Sequence, residues 1–332
     1  MIFHSSIIAM SAASFAVGVM MLGSAWYAIQ IRRKWDIRSG SEGQLILERR
    51  TYLISTILTY VFAYEVMSFF LYIHVAERLH PLFVGAMCAA GALNADSYGY
   101  PALILKMAGC MGGGLWLIMN HADNQAYDYP LIRKKYLLLL LMTPLVLAEV
   151  FAQTRYFMLL RPDIITSCCG TLFGAGSPSL AGDLAALPPV PTEIVFYLSL
   201  AANVIAGICF YRKSRGGRLF GCLSAMHFII CVAAIFSFVS PYIYELPTHH
   251  CPFCMLQREY AYIGYPLYGA LFGSTIAGTG ASILVPFRNT ASLAALLPSL
   301  QKKLVLASLC LSLIFAGIVT WRMVFTDFIL VS

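Results

Sequence analysis

Charged residues are scarce in this chain of 332 residues: Asp, Glu, Lys and Arg together make up 11% of it, whereas 60% is hydrophobic. Such a composition excludes a water-soluble domain, because a soluble core stops growing at about 250–300 residues and the rest of the surface must then be polar. Several uncharged runs reach the roughly 20 residues that are needed to cross the hydrocarbon core of a bilayer. The sequence therefore predicts an all-α, polytopic membrane protein.

The apolar runs predict eight transmembrane helices. Their expected bounds are 7–31, 52–75, 102–120, 136–157, 194–211, 220–242, 262–287 and 304–325. The first run has neither a basic segment before it nor a clear small-residue cleavage site after it. We therefore expect a retained helix there and not a signal peptide.

Lys and Arg cluster in the segments that follow the first, third, fifth and seventh spans, at residues 32–50, 133–135, 212–218 and 288–303. The positive-inside rule places these segments in the cytoplasm and both termini outside. The net charge of +7 thus reflects topology, and we infer no nucleic-acid partner from it. Loop charge and outward-facing thiols are typical of a bacterial inner membrane, where the chain contacts lipid.

Landmarks recur at a separation of about half the chain. Cys88 precedes Gly99–Pro101, and Cys254 precedes Gly264–Pro266 at a matching distance. This recurrence predicts two parallel four-helix halves, residues 1–157 and 194–332, joined by an outer Gly-, Ser- and Pro-rich loop, 158–193. Coincidence among apolar helices with basic ends is the alternative.

Five of the ten cysteines fall in segments predicted to face outside: Cys88, Cys168, Cys169, Cys251 and Cys254. The other five lie within spans or near their inner ends, where a thiol behaves as a small apolar side chain. The adjacent pair, residues 168 and 169, either closes a strained ring or pairs elsewhere. Cys88 is the odd thiol, either free or bonded to one member of that pair.

The segment His249–Arg258 has the sequence HHCPFCMLQR and lies just before the seventh span. Its Cys251 and Cys254 can store two electrons as a disulfide, bind a soft metal or staple the loop. Metal binding would use these thiolates with His249 and His250, a set suited to Cu(I) or Zn(II). No Cys-x-x-Cys-His motif for haem attachment is present.

The same segment resembles the Cys-x-x-Cys-x-x-Gln-Arg signature of the DsbB family of disulfide-forming membrane proteins. The resemblance implies thiol–disulfide exchange at Cys251 and Cys254, with Cys168 and Cys169 as relay thiols and Gln257 and Arg258 beside a bound quinone. Arg258 follows Cys254 by four residues, which is one helical turn if the seventh span begins this early. The chain departs from the family in its eight spans and in having no second cysteine pair after Cys254.

The sequence thus predicts a thiol–disulfide oxidoreductase that passes electrons between outward cysteines and a membrane quinone, with a periplasmic thiol protein as partner. The alternative is a non-enzymatic role, as a subunit that anchors other electron-transfer subunits or as a protein that handles Cu or Zn. Three ionisable residues inside spans, Glu65, Lys106 and Glu149, either form ion pairs that fix packing or carry protons to the quinone.

Overall fold

The computed structural model describes the chain except for residues 1–3, 38, 162–163, 167–171, 175–179, 327, 329 and 331–332. The described α-helices are α1 (Ser5–Lys34), α2 (Glu42–Leu79), α3 (Ala89–Asn94), α4 (Gly99–Asn124), α5 (Ile132–Leu159), α6 (Leu180–Ala185), α7 (Pro189–Lys213), α8 (Gly217–Ala234), α9 (Ser240–Tyr244), α10 (Gly264–Ile283) and α11 (Leu297–Phe325).

Eight helical segments are long and apolar enough to cross a membrane; α8 and α9 form one of them, joined by a π-helical turn. No β-strand forms in the part of the chain that the structure describes. The prediction of an all-α protein with eight spans is therefore confirmed.

Large apolar side chains cover the outside of these helices. More than 60% of the surface of Phe15, Tyr60, Leu198, Ile229 and Val324 is exposed. In water this exposure would cost about 25 cal/mol for each Å² of apolar area. In a bilayer the same side chains face lipid, and the helices satisfy their own backbone hydrogen bonds.

The chain divides into two compact units. Unit 1 consists of Met1–Val75, Asp96–Arg161 and Pro286–Pro298. Its core is built around Phe62 and Trp116, whose ring centroids are 4.9 Å apart, with apolar side chains from α1 and α5 packed around them.

Unit 2 consists of Ala76–Ala95, Pro162–Val285 and Ser299–Ser332. Within it, Gly278 of α10 packs against Ser224 of α8 and Ser308 of α11; a Cβ at position 278 would lie 2.4 Å from the Ser224 hydroxyl. Small residues of this kind let membrane helices approach closely. Residues 76–95 belong to this unit although they lie within the first predicted half; the duplication itself stays a prediction.

Candidate functional site

Two tyrosines of unit 2 fix the Cys-x-x-Cys loop between α9 and α10. The Tyr244 hydroxyl donates to the Cys251 carbonyl at 2.6 Å and accepts the Met255 N–H at 2.8 Å. The Tyr268 hydroxyl donates to the Pro252 carbonyl. Because both tyrosines are anchored on helices that flank the loop, the loop holds its backbone geometry without being helical itself.

The loop brings three thiols together. The Sγ atoms of Cys88, Cys251 and Cys254 lie within 4.8 Å of one another, and those of Cys88 and Cys251 are 3.6 Å apart. The side chains are 0%, 1% and 5% exposed. His249 lies beside one of the three sulfurs, with its Nε2 3.4 Å from Cys254 Sγ, but it is not within 4.8 Å of all three.

Two distances in this cluster are close to the edge lengths of a tetrahedral metal site. Zn–S and Zn–N bonds of about 2.3 and 2.05 Å give S···S edges of about 3.8 Å and S···N edges of about 3.6 Å. The corresponding distances here are 3.6 Å between two sulfurs and 3.4 Å between Cys254 Sγ and His249 Nε2. The Phe253 N–H also donates to Cys251 Sγ at 3.4 Å, a contact that favours the thiolate form which binds metal.

Cys88 reaches the cluster because polar contacts hold its segment in place. The Ala89 N–H donates to Glu77 Oε2 at 2.7 Å. The side-chain amide of Gln257 donates to Glu77 Oε1 and to the Met87 carbonyl, both at 2.8 Å. Gln257, which the family resemblance placed beside a quinone, thus ties the Cys-x-x-Cys segment to the residues on both sides of Cys88.

Residues 88–93 are buried, whereas Val84, Gly85 and Met87 before them are exposed. Gly85 has a φ of +86°, and a Cβ there would lie 2.6 Å from the Thr166 carbonyl oxygen. Gly91 has no room for a side chain, since a Cβ would lie 2.7 Å from Ala86. The first five residues of α3 are buried, so Cys88 is fixed at the start of a short, fully packed helix.

Cys88 and Glu77 are the members of this site that sequence reasoning missed. The sequence placed Cys88 on the same side of the membrane as Cys251, in a segment rich in small residues, and left it either free or bonded to one of the cysteines at 168–169, which lie outside the described residues. Within the described part of the chain Cys88 lies beside Cys251. The apolar character of the Cys88 segment was the only indication in the sequence. It predicts that the segment is packed, but it does not predict which other thiol lies next to Cys88.

His250 does not join His249 in the cluster. The π-helical turn Ile235–Val239 directs the Ser240 N–H to the Ile235 carbonyl, and the next donor in this pattern would be Pro241, which has no N–H. The Phe236 carbonyl is satisfied instead by His250 Nδ1 at 2.7 Å. His250 therefore pairs with the backbone of the preceding span.

Arg258 is exposed and is not joined to Cys254 by a helical turn. The residues between the loop and α10 form two 3₁₀ turns, Cys254–Leu256 and Arg258–Tyr260, with Gln257 extended between them. The α-helix begins only at Gly264, whose missing Cβ lets it pack against Leu256. The helix thus begins two residues after its predicted start at 262, and the condition for a helical turn between Cys254 and Arg258 is not met.

Cys168 and Cys169, the predicted relay thiols, lie outside the described residues. The resemblance to the DsbB family rests on the motif from Cys251 to Arg258 alone. No protein-family model, curated protein or solved structure matches this chain.

Proposed function

We propose that unit 2 binds one Zn(II) or Cu(I) ion through Cys88, Cys251, Cys254 and His249, and that the protein handles this metal at the membrane. The observation that carries the proposal is the buried set of three sulfurs within 4.8 Å of one another, with the His249 imidazole 3.4 Å from one of them. Thiolate ligands select Zn(II) and Cu(I) over harder ions.

Burial favours a metal ion over exchange with a protein thiol. All three sulfurs are at most 5% exposed, so a partner's thiolate cannot reach them along an S–S axis without opening the loop. An ion needs far less space. Three thiolates with Zn(II) leave one net negative charge and with Cu(I) leave two, and the smaller buried charge favours Zn(II).

We also propose that the cluster faces the outside of a bacterial inner membrane. The basic segments at residues 32–50, 133–135, 212–218 and 288–303 support this orientation by the positive-inside rule.

The test is metal loading of the protein in lipid nanodiscs. Metal-free protein is titrated with Zn(II), and anaerobically with Cu(I), against a chelator of known affinity, and the loaded sample is studied by X-ray absorption. We expect one ion per chain, with three sulfur neighbours and one nitrogen. Cys88→Ser should lower the affinity by more than about a hundredfold, since even the loss of a group behind a ligand costs 10–100-fold.

The chain provides a matched control. Cys209, Cys222 and Cys310 are exposed on three different spans, and their combined change to Ser should leave affinity and stoichiometry unchanged. Equal binding by the Cys88→Ser variant, or no binding by the unaltered protein, would refute the proposal.

Quinone-linked thiol–disulfide exchange is the second candidate, favoured by the third thiol of the cluster. The Cys88 thiolate could attack a Cys251–Cys254 disulfide at the sulfur of Cys251, 3.6 Å away, to form a Cys88–Cys251 disulfide and release the Cys254 thiol. In the quinone-linked step, two thiols become one disulfide and give two electrons and two protons to a quinone, which becomes quinol. The disulfide would then oxidise a dithiol of a periplasmic protein.

Differential alkylation with mass spectrometry separates the two candidates. A metal site predicts that Cys88, Cys251 and Cys254 resist alkylation until a chelator is added. A redox site predicts reduced thiols that react directly with the reagent and become disulfide-bonded when a quinone analogue is added, less so in Arg258→Ala. A disulfide that persists whatever the quinone state would contradict both.

A further inference from the structure

Three ionisable side chains meet inside unit 1. Glu65 of α2, Lys106 of α4 and Glu149 of α5 are each at most 1% exposed. Lys106 Nζ lies 2.6 Å from Glu149 Oε1 and donates to the Ser68 hydroxyl at 3.4 Å. The interhelical ion pair that the sequence offered as one role for these residues is therefore present between Lys106 and Glu149.

Glu65 is left outside this ion pair. Neither of its carboxylate oxygens has a hydrogen-bond partner within 3.5 Å among the described residues, and the same holds for Glu149 Oε2. A Cβ placed on Gly109 would lie 3.0 Å from Glu149 Oε2 and 3.2 Å from Glu65 Oε2, so both carboxyl groups point at the same position. Glycine at 109 leaves the space in which they face each other.

The site lies within the spans and not at their ends. Lys106 is about 10 Å along α4 from its first residue, and Glu149 is about 15 Å along α5 from its last, at 1.5 Å per residue. An uncompensated charge at such a depth is expensive, and carboxylates that share an apolar site cannot both ionise unless each has its own cation.

Among the described residues, the remaining groups around Glu65 supply no second cation. Tyr64 and Cys110 interact with Glu65, and the Tyr72 ring lies 5.6 Å from Lys106 Nζ. From α1 and α5, Ser14 and Gln153 bond to each other. In the described part of unit 1 the other buried lysine, Lys135, is paired with Asp123 at 2.7 Å.

We propose that Glu65 and Glu149 hold a single proton between them at neutral pH, with Lys106 balancing the one remaining negative charge. The cluster is then an intramembrane proton-binding site, able to release or accept that proton when the charge of its surroundings changes. It is built from residues of unit 1 only and does not depend on the function of the cysteine cluster.

Infrared spectroscopy of the protein in nanodiscs tests this proposal. A protonated carboxyl gives a C=O stretching band that shifts in D₂O, and we expect this band in the unaltered protein at neutral pH. Glu65→Gln and Glu149→Gln should each abolish it, because the remaining carboxylate then pairs with Lys106. Lys106→Met should roughly double it, since both carboxyls must then be neutral.

Glu42→Gln is the matched control, because Glu42 lies on the same helix as Glu65 and is exposed; the band should survive it. Absence of the band from the unaltered protein at neutral pH would overturn the proposal without reference to any variant. So would a band that survives both glutamine substitutions at the site, or one that disappears on adding Na⁺, which would make the cluster a sodium site.

Discussion

His249 and His250 are neighbours in sequence, but their imidazoles have different partners. His249 Nε2 lies beside the sulfur of Cys254, whereas His250 Nδ1 bonds to a backbone carbonyl that a π turn and a proline leave without its regular donor. Adjacent residues in an extended segment point in different directions, so one of the two can serve the cluster and the other the fold.

This difference predicts opposite effects of two alanine substitutions. His249→Ala should weaken metal binding at least tenfold and leave the thermal unfolding of the metal-free protein almost unchanged. His250→Ala should lower stability by about 1 kcal/mol, the usual loss for one hydrogen bond, with little change in affinity. Chelator competition and thermal unfolding of both variants provide the comparison; equal loss of affinity in the two would show that both imidazoles bind the ion.

The sequence identified two of the three thiols that the structure brings together. Cys251 and Cys254 are recognisable because they are three residues apart, whereas Cys88 is 163 positions from Cys251. Nothing in local spacing reports a contact across that separation. The packing of α3, with the backbone of Gly91 close to Ala86, is one of the tertiary contacts that determine where Cys88 lies.

At the scale of elements, the site depends on one polar junction between two segments. The Glu77 carboxylate, near the end of α2, accepts hydrogen bonds from the Ala89 N–H and from the Gln257 side-chain amide. The Gln257 amide also donates to the Met87 carbonyl. These hydrogen bonds link the residues before and after Cys88 to the Cys-x-x-Cys loop. Apolar packing alone would not fix the distance between the sulfurs as closely, because it has little directionality.

Gln257→Leu should therefore loosen Cys88 without removing any ligand. It deletes two hydrogen bonds, one of them to a carboxylate, which together contribute about 2–3 kcal/mol. We expect alkylation of Cys88 in the metal-free protein to become at least tenfold faster. Arg258→Ala, a change to the exposed neighbour, should leave that rate unchanged, and equal rates in the Gln257→Leu variant and the unaltered protein would contradict the positioning role.

The seventh span begins at Gly264, close to its predicted start at 262, but the turns before it were not predicted. An apolar run predicts a helix but not the two 3₁₀ turns that precede it. Here the side chains of Met255 and Leu256 pack against the first residue of α10. A Cβ at position 264 would lie 2.8 Å from both of them, so this contact requires glycine. The position of Arg258 relative to the thiols follows from this packing.

At the scale of the whole molecule, composition was sufficient to predict eight spans, because the length of an apolar run is set by the thickness of the bilayer. The division into units was not predictable in the same way. Residues 76–95 follow the second span in sequence, yet they pack within unit 2, where Cys88 completes the cluster. Hydropathy shows where the chain crosses the membrane, but it does not show which helices a connecting segment packs against.

The orientation of these spans gives the last prediction. The basic segments predict that residues 212–218 are cytoplasmic and that the C-terminus and the cysteine cluster lie outside. In a bacterial inner membrane, alkaline phosphatase fused after Ser332 should be active, and a fluorescent protein inserted after Ser214, between α7 and α8, should fluoresce. Exchanging the two reporters should silence both. The opposite pattern would place the thiols in the reducing cytoplasm. Buried cysteines can bind a metal there, but they cannot exchange disulfides with a periplasmic partner.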